Sequence, residues 1–161
     1  MVVISIVGLL AGITMVSVRS ARINARDAVR KRDVQIIEKA LVMYWEKTGQ
    51  FPSEATFDGS IGSDGCGCPA SGAPAGCTGK DWCRTSGIWA GIVTNQKILG
   101  ALPVDPANTT AYYYSYEPCC NQACGSSGTT CVGKGCCEYT ITASRLESTG
   151  TSYSRTARWE Q

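Results

Sequence analysis

The sequence predicts an α+β protein in which one long N-terminal helix packs on a small antiparallel β-sheet with disulfide-rich loops. Three observations support this fold class. No proline occurs before Pro52, three later segments have a tyrosine-rich or alternating pattern typical of strands, and all ten cysteines lie after residue 65. The chain of 161 residues has room for one domain and one long extra element. It divides into an apolar helix half (1–18), an amphipathic helix half (19–48) and a globular Cys-rich head (49–161).

Residues 1–18 contain no ionisable side chain. As a helix they would rise about 27 Å, just short of the roughly 30 Å hydrocarbon core of a bilayer. A secretory signal peptide is one alternative, although no basic segment precedes the apolar run and no clear cleavage site follows it. A buried core helix is another, but Arg19 and Arg22 follow directly and the apolar residues face every direction.

Residues 19–48 continue the helix with eight Lys or Arg against four Asp or Glu, a net charge of +4. Asp27 and Lys31 have the spacing of a helical ion pair. Thr48 and Gly49 before Pro52 predict the end of the helix near residue 48. An apolar stripe at helical spacing predicts contact with the body; it comprises Val34, Ile37, Leu41, Tyr44 and Trp45.

A helix from near residue 1 to 48 would be about 70 Å long. A body of this size has a radius of gyration of about 13 Å and cannot cover such a rod. We therefore expect about half of the helix to lie in lipid or against other molecules.

The body is predicted to contain one short helix and three strands. The helix spans residues 88–99, and the strands span 111–117, 138–143 and 152–159, the last closing a three-stranded sheet. The four tyrosines of the first strand region are expected in the sheet core with alternating exposure: Tyr112, Tyr113, Tyr114 and Tyr116.

The cysteines indicate a disulfide framework formed outside the reducing cytosol. Their connectivity stays open, since the six from Cys119 onwards alone allow fifteen pairings. A zinc or iron–sulfur domain is the alternative, but the chain has no histidine and lacks paired CxxC motifs. The expected disulfide residues are Cys66, Cys68, Cys77, Cys83, Cys119, Cys120, Cys124, Cys131, Cys136 and Cys137.

Motifs for catalysis are scarce in the sequence. Without histidine, no Ser-His-Asp or Cys-His arrangement is possible, and no GxxxxGK[ST] or GxGxxG motif follows a strand. We expect no enzyme activity and no cofactor. The small net charge of +2 gives no specific indication of nucleic acid.

The N-terminal sequence VVISIVGLLAGI, followed by ARDAVRKRDVQIIEKALVMYWEKTGQFPS, resembles the type IV pilin and type II secretion pseudopilin family. The resemblance is strong over the first 53 residues and continues in short pieces: ALPVDP, YYYSYE and EYTITASRLES. It implies a ladle-shaped fold, with the C-terminal half of the helix on a small sheet.

The resemblance also implies a function. Family members wait in the inner membrane, are cleaved by a prepilin peptidase, and are lifted into helical surface filaments by a platform protein and an ATPase. The chain itself would be the main partner. The filament core would be formed by Val2, Val3, Ile4, Ile6, Val7, Gly8, Leu9, Leu10, Gly12, Ile13, Met15, Val16 and Val18.

Two features depart from the family pattern. The sequence begins inside the apolar run, so we expect a basic leader and a core glutamate in residues upstream of Met1. Secretion pseudopilins commonly bind calcium near a DP motif, and Asp105 matches it, but few acidic residues lie nearby.

Other functions remain open at this point. A major pseudopilin acting as a secretion piston and a minor pilin that primes filaments share the same fold. From different classes, the alternatives are a membrane-anchored binding domain that does not polymerise and a secreted Cys-rich toxin or inhibitor that begins near residue 20. The first predicts monomers in detergent, and the second predicts a shortened mature chain.

Overall fold

The computed structural model describes residues 2–52, 88, 90–109, 111–120, 123–124, 129–130 and 135–158. For residues 9–16, 120, 123–124 and 129–130 it describes the backbone alone. These residues form an N-terminal helix and a three-stranded antiparallel sheet, which confirms the α+β class predicted from the sequence.

Helix α1 is continuous from Val2–Thr48, a length of 47 residues. Its end lies where the sequence predicts it. Gly49 has a φ of +73° and donates its N–H to the Trp45 carbonyl at 2.8 Å. The Thr48 hydroxyl donates to the Tyr44 carbonyl at 2.9 Å. A glycine in the left-handed region therefore closes the helix, because other residues are strained there.

The sheet contains β1 (Tyr114–Cys120), β4 (Cys136–Ala143) and β5 (Tyr153–Arg158), in the order β1-β4-β5. Two further short strands, β2 (Ala123–Cys124) and β3 (Thr129–Thr130), pair with each other. All three strands predicted from the sequence are present.

Strand β1 begins three residues later than the sequence predicts. The backbones of Thr109 and Tyr112 bond to each other in both directions, at 3.0 and 3.1 Å, and form a tight turn. The start of the predicted strand is therefore in this turn. At its other end β1 continues to Cys120 through an irregularity after Cys119.

The two faces of β4 follow the predicted alternation. Tyr139, Ile141 and Ala143 are buried beneath α1. On the opposite face, the hydroxyls of Thr140 and Thr142 bond to Thr156 and Ser154 of β5 at 2.9 and 3.1 Å. The expected core tyrosines behave differently from one another, since Tyr114 and Tyr116 are buried whereas Tyr112 and Tyr113 are half-buried.

The core lies between α1 and the sheet. The predicted helix stripe faces it: Val34, Ile37 and Leu41 are fully buried. At its end, Trp45 packs on Phe51 with ring centroids 4.8 Å apart, and Phe51 meets Tyr139 edge-on at 4.6 Å. The remaining members of the core are Ala40, Ile88, Ile92, Leu102, Tyr114, Tyr116, Cys136, Ile141 and Ala143.

The predicted helix at 88–99 is, in its described part, a π-helix from Ala90–Asn95. The Gln96 N–H donates to the Gly91 carbonyl at 3.1 Å, which closes the wider turn of this helix type. The prediction that the helix reaches Leu99 is wrong, because Lys97 takes a positive φ of 50° and ends it. A Cβ on Gly91 would lie only 3.0 Å from Pro52 and from the Tyr44 ring.

This close approach yields a stability prediction. Gly91→Ala forces the added methyl against two rings and should destabilise the fold by about 1–3 kcal/mol. The matched control is Gly100→Ala, since nothing lies within 4 Å of a Cβ there. Chemical denaturation of both variants provides the measurement, and equal free energies of unfolding would disprove the steric account.

Candidate functional site

The described side chains in the apolar half of α1, those of residues 2–8, 17 and 18, are uncovered. Val2, Val3 and Ile4 are 73–74% exposed, and Val18 is still 50% exposed. Ile6 and Val7 are exposed as well, and nothing lies within 4 Å of a Cβ placed on Gly8. The other predicted core residues of this half are helical, but their side chains lie outside the described part: Leu9, Leu10, Gly12, Ile13, Met15 and Val16.

A contiguous apolar surface of this kind is uncommon on a protein that stays monomeric in water. Its burial is favourable by about 25 cal/mol per Å² of apolar area. This apolar surface at the start of α1 is the candidate functional surface of the chain. A search of the described residues for a helix apolar and long enough to cross a bilayer finds none.

The helix is held to the body by a buried ionic cluster around Arg30, a side chain with no exposure to solvent. Its guanidinium donates from Nε and Nη2 to the two carboxylate oxygens of Asp105, at 2.7 and 3.0 Å. Nη1 donates to Asp27 Oδ1 at 2.8 Å and lies 2.9 Å from Glu147 Oε1. Three carboxylates thus surround one guanidinium.

A second arginine balances part of this excess negative charge. Arg26 makes a two-pronged ion pair with Glu147, with its Nε 2.7 Å from Oε1. The Tyr112 ring covers the Arg30 guanidinium at 4.8 Å from the ring centroid, a favourable cation–π distance. Every charge that the cluster buries therefore has a partner, as burial of an ion requires.

Asp27 links this cluster to the β4–β5 turn, residues 144–152. Its Oδ1 accepts the backbone N–H of Glu147 and its Oδ2 that of Ser148, both at 2.8 Å. A charge-assisted bond to a backbone amide is short and strong. Since β4 and β5 flank this turn, the cluster fixes α1 against the sheet at two sequence-distant points, Asp105 and the turn.

The cluster changes the acidity of its carboxyl groups. Burial alone would raise the pKa of Asp27, but hydrogen bonds from Ser148, Glu147 and Arg30 outweigh it and lower the pKa to about 2. For Glu147, the hydrogen bond from Arg26 is the main cause that lowers the pKa to about 2. Burial acts to lower the pKa of Arg30, yet its three carboxylate partners raise it above the usual value.

Asp33 is one turn further along the helix and behaves in the opposite way. Burial raises its pKa, although a hydrogen bond from the Tyr114 hydroxyl at 2.8 Å opposes this. Burial and the neighbouring Asp33 also raise the pKa of Tyr114.

Two expectations from the sequence change here. The predicted Asp27–Lys31 ion pair is wrong, because Asp27 turns inwards to Arg30 and the β4–β5 turn, while Lys31 lies 5.9 Å from the Tyr153 ring centroid. Asp105, considered as a calcium ligand, instead accepts hydrogen bonds from Arg30 and from the Ala107 backbone. Within the described ranges, no three His, Cys, Asp or Glu side chains cluster as a metal site would require.

The ionic cluster is not predicted from the sequence, although the sequence contains a signal for it. Arg30 precedes Val34 by four residues and Ile37 by seven, so it lies on the apolar stripe. A charged residue on a buried helix face needs a partner. Asp27 is three residues away on the same helix, but the other two partners, Asp105 and Glu147, lie 75 and 117 positions away. Helical periodicity contains no information about such distant residues.

The structure describes the side chains of three of the ten cysteines. Cys119, Cys136 and Cys137 are disulfide-bonded. The first and last of these are buried together beside Trp45. Cys120 and Cys124 are described by their backbone alone, and Cys66, Cys68, Cys77, Cys83 and Cys131 lie outside the described residues, so the wider disulfide framework stays a prediction.

Comparison with known proteins gives no match: neither a protein-family model, nor a curated protein, nor a solved structure is similar to this chain.

The ionic cluster predicts acid lability. The lowered pKa values of Asp27 and Glu147 mean that the folded state holds fewer protons than the unfolded chain. Their contribution is complete above the unfolded values, about 4 to 4.5, and should be lost as the pH falls towards 2. Equilibrium unfolding at a series of pH values measures this slope.

The raised pKa of Asp33 acts in the opposite direction and moderates this loss in acid. In Glu147→Gln the slope between pH 4.5 and 2 should be smaller, because one of the two carboxyls no longer titrates. An unchanged slope in this variant would contradict the assignment of acid lability to the cluster.

Removing one charge from the cluster should be costly. Asp105→Asn leaves the buried Arg30 guanidinium with less compensation and should destabilise the protein by about 3 kcal/mol. The control is Glu38→Gln, which breaks the exposed ion pair with Arg155 at 3.0 Å and should change stability little. Urea titration of both variants tests this, and a similar small loss in the two would show that the buried cluster is not the main anchor.

Proposed function

We propose that this chain is a structural subunit of an extracellular filament of the type IV pilus kind, polymerising through its N-terminal helix. The observation that carries the proposal is the exposure of the described apolar side chains at the start of α1, where Val2, Val3 and Ile4 are 73–74% exposed. Because the chain's own body cannot cover this apolar surface, its burial requires contact with other molecules. Identical copies of the chain have the same apolar surface and could bury it against one another.

The architecture favours an open polymer over a closed dimer. The apolar half projects from one end of the chain, while the body holds only the other half of α1. Contacts between different surfaces of identical copies generate helical filaments when the rotation does not close. A rod 47 residues long, bundled by its apolar half, leaves the bodies on the outside.

The exposed residues on the amphipathic half are consistent with further contacts between copies. Val29 and Met43 are exposed on α1, and neither belongs to the stripe that packs on the sheet. The ladle shape, a helix whose second half rests on a small sheet, is the fold that the family resemblance implies. The disulfides would harden the bodies against proteolysis and shear.

The proposal includes a path and a location. The subunit would wait in the inner membrane, with residues 1–18 in lipid, and then pass into a filament on the cell surface. A prepilin peptidase, an assembly platform and an assembly ATPase would be its partners, as the resemblance implies. Neither catalysis nor a cofactor is part of this function.

A second use of the same assembly is a pseudopilus of a type II secretion system, in which the polymer acts as a piston. The exposed apolar helix supports both uses equally. A non-polymerising, membrane-anchored binding domain is the alternative from a different class. Fibre length and location separate the three.

Electron microscopy of material sheared from the native cell surface, with mass spectrometry of the fibres, tests the proposal. We expect long thin fibres that contain this chain. Short fibres confined to the cell envelope would indicate the secretion piston. A chain that stays in the membrane fraction, with no fibre containing it, would contradict the proposal.

A charge in the apolar half should prevent assembly. Ile4→Asp places a carboxylate on a surface that becomes buried in the filament core, at a cost of several kcal/mol per subunit. We expect loss of fibres without loss of the folded body. Val104→Asp is the matched control, since Val104 is an exposed apolar residue of the body. Fibres counted by microscopy and near-UV circular dichroism of both variants are the measurements, and fibres of Ile4→Asp would contradict the assigned core.

A further inference from the structure

A cavity of about 450 Å³ lies between α1 and the β4–β5 turn. Pockets for small ligands commonly occupy about 300–1,000 Å³. The cavity is lined by Arg19, Ser20, Ile23, Asn24, Glu147 and Ser148. Four of the lining residues come from one stretch of α1, immediately after the exposed apolar half.

The polar residues that line this cavity differ in whether they already have a partner. The Glu147 carboxylate already has ion-pair partners in Arg26 and Arg30. The Ser148 hydroxyl bonds to Asp27. Arg19, by contrast, is exposed and takes part in none of the ion pairs formed by the described residues.

The remaining polar side chains of the lining can all donate hydrogen bonds. Arg19 offers the N–H groups of its guanidinium, Ser20 a hydroxyl and Asn24 a side-chain amide. A planar guanidinium beside neutral donors suits a phosphate, which accepts several hydrogen bonds and carries negative charge. The cavity thus has the chemistry of a phosphate site, with Ile23 as its apolar contact.

The position of the cavity along α1 indicates a lipid headgroup as the source of the phosphate. From Arg19 to Asn24 the helix rises about 8 Å. The headgroup layer on each side of a bilayer is about 5–8 Å thick. If residues 2–18 lie in lipid before assembly, these donors are at the depth of the lipid phosphates.

We propose that this cavity binds the phosphate of a phospholipid headgroup while the subunit waits in the membrane. This inference rests on the proposed function, which places the apolar half in lipid. The bound headgroup would hold the β4–β5 turn against the bilayer surface. Assembly into a filament would then exchange the lipid for contacts with other copies.

The test uses the full chain in detergent micelles, titrated with the short-chain lipid dihexanoyl phosphatidylglycerol. The side-chain N–H signals of Arg19 and Asn24 are followed by nuclear magnetic resonance. Dihexanoylglycerol, which lacks the phosphate, and inorganic phosphate are titrated in parallel. We expect saturable shifts of both signals with the phospholipid, and weaker or absent shifts with the other two compounds.

Two variants separate a built site from general attraction to a basic helix. In Arg19→Gln, affinity for the phospholipid, read from the Asn24 signal, should fall about tenfold, because a charge-assisted hydrogen bond is lost. Arg32→Gln removes an exposed arginine from the same helix, away from the cavity, and should change the affinity less than about twofold. Equal losses in the two variants would overturn the proposal.

The remaining outcomes are decisive as well. Equal binding of the phosphate-free lipid would show that the apolar chains alone are recognised, and equal binding of inorganic phosphate would show that no lipid is needed; either overturns the proposal. Fibres of the wild type without lipid binding would remove this inference and leave the filament function standing. Lipid binding without fibres would remove the filament function and leave the site.

Discussion

The ion cluster centred on Arg30 is the interaction on which the rest of the structure depends. It joins the middle of α1 to Asp105 and to the β4–β5 turn, and so it sets how the helix lies on the sheet. Apolar packing also holds the helix, since Val34, Ile37 and Leu41 are fully buried in the core. Hydrophobic contact has no direction, however, whereas the hydrogen bonds of the buried guanidinium to its carboxylates depend on distance and angle.

This arrangement explains why the chain has two such different halves. From residue 26 onwards, α1 is bound to the body by ion pairs and then by the apolar stripe. Before that point, the side chains of Val2 to Val7 meet solvent. A rigid anchor at mid-helix lets the apolar half project as a stiff rod, and such a rod can insert into a bundle of identical rods. The proposed polymerisation and a well-ordered body are therefore compatible in one short chain.

The charge pattern has a related consequence. The acidic residues of the helix mostly serve the body: Asp27 holds the β4–β5 turn, Asp33 meets Tyr114, and Glu38 pairs with Arg155. Several basic residues, Arg19 and Arg22 among them, stay exposed instead. The helix thus presents positive charge just beyond its apolar half, where an anionic membrane surface would lie during the waiting state of the proposed pathway.

The sequence by itself determined the helix, its end at Thr48, the apolar stripe and the three strands, because these depend on local periodicity and on residues such as Gly49 and Pro52. It also marked residues 1–18 as unsuited to water. Only the tertiary structure decided the partners of Asp27 and Arg30, the π-helical turn at Gly91, and the late start of β1. The bonds of Arg30 to Asp105 and of Asp27 to the β4–β5 turn, and the packing of Gly91 on Tyr44 and Pro52, join groups far apart in the chain. The late start of β1 follows from the local turn between Thr109 and Tyr112. A one-dimensional pattern specifies which face of an element is buried, but not which distant side chain lies against it.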